Sequence, residues 1–338
     1  MSRDIHTNRN FHQSIISNAD QTELSAIKFG SVVIDSGIQD DRIADALDDY
    51  DPALTHLSAW QSRDLKLDTA VGDVSNVLSE RSAMLKGAYP FDIKDGRLVY
   101  QPRKSRFYEF CLLITLAKDI TTGEYTQLPR SFERICAVLV RTYLGKHAKA
   151  IHVGAPRDDV VGKTFQQAME SVQKETGEWI WDPEQGMPVD TSVGGDEGVD
   201  FIVWADAMDA RRGHLFVLGQ CACGNDWPNK FNDLDLERLK KWMRPLSHVT
   251  PVRSFTTPFQ MSEGMLRDAQ RLAGLVFDRA RLAILAHDGL TDPEYEKWEK
   301  KLPALCDLVL RPGAETKKPK VKKKRVKKSG IRKRKTKS

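Results

Sequence analysis

Two polar residues interrupt apolar runs in the middle of the chain: Asp200 in "GGDEGVDFIVWADA" and Gln220 in "GHLFVLGQCACGNDWPNK". Both runs have strand character and a polar turn, "MDARRG", separates them, so a hairpin is expected. With the turn centred near residue 210, Asp200 and Gln220 stand equally far from it. Residues directly opposite in an antiparallel pair project from the same face, which sets the two side chains together at the open end. A buried carboxylate without a partner is costly. One partner that satisfies the chemistry is a divalent cation, Mg2+ or Mn2+, held by Asp200, the Gln220 amide oxygen and a backbone carbonyl. The local alternative is that Asp200 caps the turn entering its strand while Gln220 bonds a neighbouring backbone group.

The other reactive side chains of this region carry plainer expectations. Cys221 and Cys223 flank Ala222, but a structural zinc site needs four ligands. His214 is the nearest imidazole and there is no second cysteine pair, so the two thiols are expected to fill the core. His152, in "KAIHVGAPR", lies in an apolar run and is expected to be a core histidine. Arg157 is a loop arginine whose functional reading is a phosphate contact. Trp179, Trp181, Trp204 and Trp227 are expected to pack, given the area each buries. The chain has no G-x-x-x-x-G-K-[ST] phosphate loop and no G-x-S-x-G elbow.

Elements must position these residues, and strands and helices alternate around them. "GEYTQLPRSFERICAVLVRTYLG" reads as a helix opening at Pro129 or Ser131 and stopping at Gly145, with Phe132, Ile135, Leu139 and Tyr143 on one face. "VGKTFQQAMESVQKETG" is an amphipathic helix ending on Gly177. After the hairpin come a helix "DLDLERLKKWM", a strand "TPVRSFTTPF", a helix "EGMLRDAQRLAG" and a strand "LVFDRARLAIL". The alternation implies an α/β core with a mixed sheet over about 126–312. Residues 1–125 read as a mainly helical, acidic region: Pro52 opens a helix, "GAYPFDIKDGRLVY" turns at Asp95-Gly96, and "RFYEFCLLITLAKDI" is a buried helix.

The composition bounds the function. Of 338 residues, 40% are apolar and 29% charged, as in a soluble globular protein. No apolar run approaches the ~20 residues of a membrane helix. The start "MSRDIHTNRNFHQS" lacks a signal-peptide core, and five scattered cysteines suit a reduced, cytoplasmic protein. Residues 317–338 hold 14 of the 52 Lys and Arg and no acid, leaving the body with 38 basic and 47 acidic residues. This polybasic tail, 313–338 with its lead-in, is expected to be disordered and to attract phosphate backbones.

"SFER" opening an apolar helix, "GDEGVD" entering a strand and "LGQ" closing the next resemble the PD-(D/E)XK nuclease superfamily. The likeness is to its glutamine-containing, Mrr-type restriction-endonuclease branch and covers roughly residues 128–235. It implies a restriction-endonuclease-like mixed sheet flanked by helices. It also implies a Mg2+- or Mn2+-dependent DNA endonuclease in which Glu133 matches the helix acid, Asp200 the metal-binding acid and Gln220 the glutamine. Asp196 matches the first acid of the glycine-rich segment.

The lysine that the pattern places two residues past the glutamine is here Ala222, and Lys230 is the nearest candidate to replace it. "QCACG-NDW-NK" is similar to nucleases of bacterial phage-defence systems, which implies regulatory partner proteins. Cutting both strands implies a homo-oligomer, and no membrane is expected as a partner. The alternative is a catalytically degenerate DNA-binding or scaffold subunit, and RNA is the other substrate class.

Overall fold

The Asp-Gly pair at 95–96 places two successive residues in the left-handed region, Asp95 at φ 48° and Gly96 at φ 69°, which suits a tight hairpin turn. The computed structural model describes residues 3–34, 56–157, 160–187, 197–244 and 248–311, with side chains from residue 13 in the first helix and from 71 in the second. The expected Pro52 helix start, Asp196 and the basic tail lie outside the described residues. The N-terminal part comprises α1 (Arg3–Phe29), β1 (Ser31–Val33), α2 (His56–Leu85), β2 (Phe91–Lys94), β3 (Arg97–Tyr100) and α3 (Phe107–Leu116). It is mainly helical, as expected, but β1 adds an unforeseen strand to the hairpin, giving the order β1-β3-β2. Three residues are too few to show a period.

The rest forms the mixed sheet flanked by helices that the sequence implies. Its elements are α4 (Gln127–Leu144), β4 (Ala148–His152), α5 (Phe165–Thr176), β5 (Phe201–Ala205), β6 (Leu215–Cys221) and α6 (Leu236–Leu239). Then follow β7 (Val252–Thr256), α7 (Glu263–Ala273), β8 (Leu275–Phe277), α8 (Arg279–Asp288), α9 (Pro293–Glu299) and α10 (Leu302–Leu310). The strand order is β4-β5-β6-β7-β8, antiparallel up to β6 and parallel beyond it. Thr164 and Gln167 close a reciprocal capping box at the start of α5, and Gly177 ends that helix in the left-handed region.

Four expectations about the elements need correction. Helix α4 begins at Gln127, so Pro129 lies inside its first turn, where no N–H is needed. Tyr143 leaves the buried face of Phe132, Ile135 and Leu139; it is 51% exposed and packs edge-on against Phe277. The helix expected over "DLDLERLKKWM" stops at Leu239, because residues 241–244 instead exchange backbone bonds with 180–184. In "LVFDRARLAIL" only three residues are strand. The Asp278 side chain accepts the Arg281 N–H and starts a helix there, which carries Leu282, Ala283 and Ala286 into the core.

Strand alternation divides the core. Phe201, Val203 and Val217 face a large cluster built with α1, α2, α3, α4, α8 and α10. Ile202, Trp204, Phe216 and Leu218 face α5 and Trp179. Each such large side chain, fully buried, contributes about 1.5–3 kcal/mol. A buried ionic network also ties α1 to α2 and α8. Asp20 accepts from Arg279 through both oxygens at 2.8 Å and from Arg81 at 2.8 Å, while Glu23 accepts from Arg81 and Tyr89, each at 2.7 Å. Among the described residues no helix is long and apolar enough to cross a membrane.

Candidate active site at the open end of the β5–β6 hairpin

The β5–β6 ladder runs from Ala205 opposite Leu215 to Phe201 opposite Gly219, and the Asp200 N–H bonds the Gly219 carbonyl, so Asp200 ends the ladder beside Gly219, one residue short of the expected pairing with Gln220. The turn arithmetic holds as far as Phe201 and Gly219. Asp200 is stitched into the sheet on both sides. Its N–H donates to the Gly219 carbonyl, and its own carbonyl accepts from Val153 and Gly154, all at 2.8 Å. Its Oδ2 accepts the Cys221 N–H at 2.6 Å. The carboxylate therefore does bond to backbone, though across to the next strand and not within its own turn. The other oxygen, Oδ1, faces Gly154, where a Cβ would come to 2.9 Å.

Gln220 is 5% exposed, stands beside Phe255 in the parallel register with β7, and has its carbonyl held by the Thr256 hydroxyl at 3.1 Å. Glu133 projects from α4, and its Oε2 lies 3.3 Å from His152 Nε2. Burial pushes the Cys221 thiol well up; the neighbouring Cys136 thiol and then the charges of Asp200 and Glu133 push it further. Cys223 feels burial first and the same two carboxylates. Glu133 and Asp200 meet the same end of β4, Glu133 at the His152 ring and Asp200 at the N–H groups of Val153 and Gly154.

Ala222, the position where the resemblance expects a lysine, is buried among Trp227, Phe231, Phe255 and Met261. Lys230 follows the 3-10 turn Trp227–Asn229; it is half-exposed and its Nζ lies 3.5 Å from Asp226 Oδ2. Cys223 sits in the apolar core and Cys221 packs against it. Trp179, Trp204 and Trp227 are buried, and Trp181 stacks on Trp242 with centroids 5.5 Å apart. All four tryptophans pack. Arg157 lies over the Phe165 ring and donates to the Lys163 carbonyl at 3.4 Å.

The carboxylates of Asp200 and Glu133 are oxygen donors of the kind a hard divalent cation takes, and Gly154, lacking a Cβ, lets the end of β4 approach Asp200 closely. Among the described residues no group of three or more His, Cys, Asp or Glu is gathered as a metal cage. Sequence reasoning missed two residues here. His152 is buried as expected, but it touches Glu133, and Gly154 makes room for Asp200. No spacing along the chain relates residue 152 to 133, because β4 and α4 meet only in the fold.

No family model and no curated protein matches the chain. Among solved structures, the MspJI restriction endonuclease in complex with a 27-mer oligonucleotide is similar over 54% of this chain, at 14% identity and a TM-score of 0.29. The chain spans about a third of that protein's length, 33% being covered. The fold class rests on the strand order and flanking helices described above.

Proposed function

We propose that this chain is a Mg2+- or Mn2+-dependent DNA endonuclease that hydrolyses phosphodiester bonds as an effector of a bacterial anti-phage defence or restriction system. The observation that carries the reading is that one segment holds both acids near the open end of the hairpin: the His152 ring lies 3.3 Å from Glu133, and the Val153 and Gly154 N–H groups donate to the Asp200 carbonyl, with Gln220 near the end of the neighbouring β6. A divalent cation there supplies Lewis acidity toward the phosphate and the attacking water. Asp200, Gln220 through its amide oxygen, and Glu133 are the residues that would hold it. One carboxylate fewer than in a two-acid site makes that hold weaker.

Lys230 stabilises the charge that develops on the phosphate. Its pair with Asp226 is exposed and worth under about 1 kcal/mol, so the amine exchanges partners at small cost. The basic segment 317–338 supplies sequence-independent attraction to the DNA backbone. Partner proteins that hold the enzyme inactive and a homo-oligomer that cuts both strands belong to the same reading.

The apolar setting of Ala222 favours a second reading, a degenerate subunit that binds DNA without cutting it. Incubating the full chain with plasmid separates the two. Nicking or linearisation that needs Mg2+ or Mn2+, and that chelator and Asp200→Ala both abolish, supports the enzyme. A gel shift with no cleavage under any metal supports the subunit, and a structured RNA in place of plasmid tests the other substrate class. Full cleavage by Asp200→Ala would overturn the site.

A further inference from the structure

We propose that His152 is the positioning residue of this site, and that the segment His152–Gly154 braces Glu133 and Asp200 at a fixed separation. The inference deepens the endonuclease reading and rests on it for what the two acids hold. Three consecutive residues at the end of β4 touch both acids. The His152 ring meets Glu133, Nε2 to Oε2 at 3.3 Å, while the N–H groups of Val153 and Gly154 both donate to the Asp200 carbonyl at 2.8 Å. The brace is rigid at its base, because His152 pairs with Phe201 across β4 and β5 and the Phe201 ring packs over Gly219.

The tautomer follows from the contact. A nitrogen that faces a carboxylate carries the hydrogen, so Nε2–H donates to Glu133. Nδ1 is buried and has no hydrogen-bond partner among the described residues, on a side chain 7% exposed. A histidine kept only for packing would do better as an apolar residue of similar volume, since an unpartnered buried nitrogen is unfavourable. The ring is explained by what it does to Glu133. Held on a strand and donating to one oxygen, it fixes the carboxylate rotamer so that the other oxygen is presented in a constant direction. Outer partners of metal-ligating carboxylates and imidazoles act in this way.

The test is Mn2+ binding by the full chain, read as free Mn2+ by electron paramagnetic resonance, for wild type, His152→Leu, His152→Gln, Glu133→Ala and the Glu133→Ala/His152→Leu double variant. Thermal melting confirms that each is folded. His152→Leu is expected to weaken Mn2+ binding about 10–100-fold. His152→Gln is expected to recover most of that loss, because its amide N–H can donate to the same carboxylate. In the Glu133→Ala background, His152→Leu should add nothing, since the ring acts through Glu133.

Wild-type affinity in His152→Leu, or a loss that adds in full to that of Glu133→Ala, overturns the positioning role while leaving the endonuclease reading intact. A wild-type chain that neither binds Mn2+ nor cuts DNA overturns both. A His152→Leu variant that melts lower but binds Mn2+ as wild type does assigns the ring to packing and overturns the proposal.

Discussion

Asp200 accepts the Cys221 N–H through Oδ2 at 2.6 Å, so the acid proposed to bind the cation is also a rung between two strands. Removing the side chain therefore mixes two effects, and Asp200→Asn separates them. The amide oxygen still accepts from Cys221 while the charge is gone. Asp200→Asn is expected to unfold within about 1 kcal/mol of wild type, whereas Asp200→Ala loses roughly 1–3 kcal/mol in urea titrations. Both should lower Mg2+-dependent cleavage by about 100-fold or more.

Lys230 is tested by the same pair of measurements. Its exposed ion pair with Asp226 predicts a stability change below about 0.5 kcal/mol for Lys230→Ala. If its amine stabilises the phosphate, cleavage falls roughly 100-fold. Cleavage at the wild-type rate removes Lys230 from the site. Moving the amine to the position the resemblance expects, by Ala222→Lys, costs roughly 2 kcal/mol or more, because that position is enclosed by Trp227, Phe231, Phe255 and Met261.

Gly154 matters for space and not for backbone freedom. A Cβ there would sit 2.9 Å from Asp200 Oδ1 and must displace the carboxylate. Gly154→Ala is expected to cost roughly 1 kcal/mol of stability. Mn2+ affinity should fall by about tenfold, read by calorimetry. Unchanged affinity would mean that Oδ1 is not the oxygen presented to the cation.

The buried network makes Asp20 a stability residue. Burial raises its carboxyl, but Arg279 and Arg81 more than offset this and hold it below the usual range. A depressed folded value means that its contribution is present above the unfolded value near 3.8 and fades as pH falls below that. Asp20→Ala leaves two buried guanidinium groups short of a partner and should cost about 3–5 kcal/mol at pH 7, measured by denaturant unfolding.

Glu178 gives the protein a second acid-sensitive point. Burial pushes its carboxyl up, but the N–H groups of His248, Gly213 and His214 and the His214 ring hold it down to about 2. Its contribution is therefore complete above the ordinary value of 4.5 and is lost as pH falls toward 2. Glu178→Gln should be about 2 kcal/mol less stable at pH 6. The gap from wild type should narrow steadily in unfolding curves taken toward pH 2.

The sequence alone determined what depends on neighbours along the chain. A strand period of two and a turn centred at 210 suffice to set the register from Ala205–Leu215 to Phe201–Gly219, because a one-residue slip would turn each apolar face outward. Asp95-Gly96, Gly145 and Gly177 marked a turn and two helix ends for the same local reason. Tertiary structure decided whatever turns on segments that meet only in the fold. The apolar run after Phe277 suits a strand or a helix by pattern; the helix is capped by Asp278, and Arg279 is buried against Asp20, 259 residues away. Ala222 is enclosed by side chains that reach it from several segments. His152 meets Glu133 because β4 lies under α4, and burial there turns an unremarkable histidine into the neighbour of the helix acid. Spacing encodes register, but contacts between distant segments come from packing, and no single stretch of the chain records them.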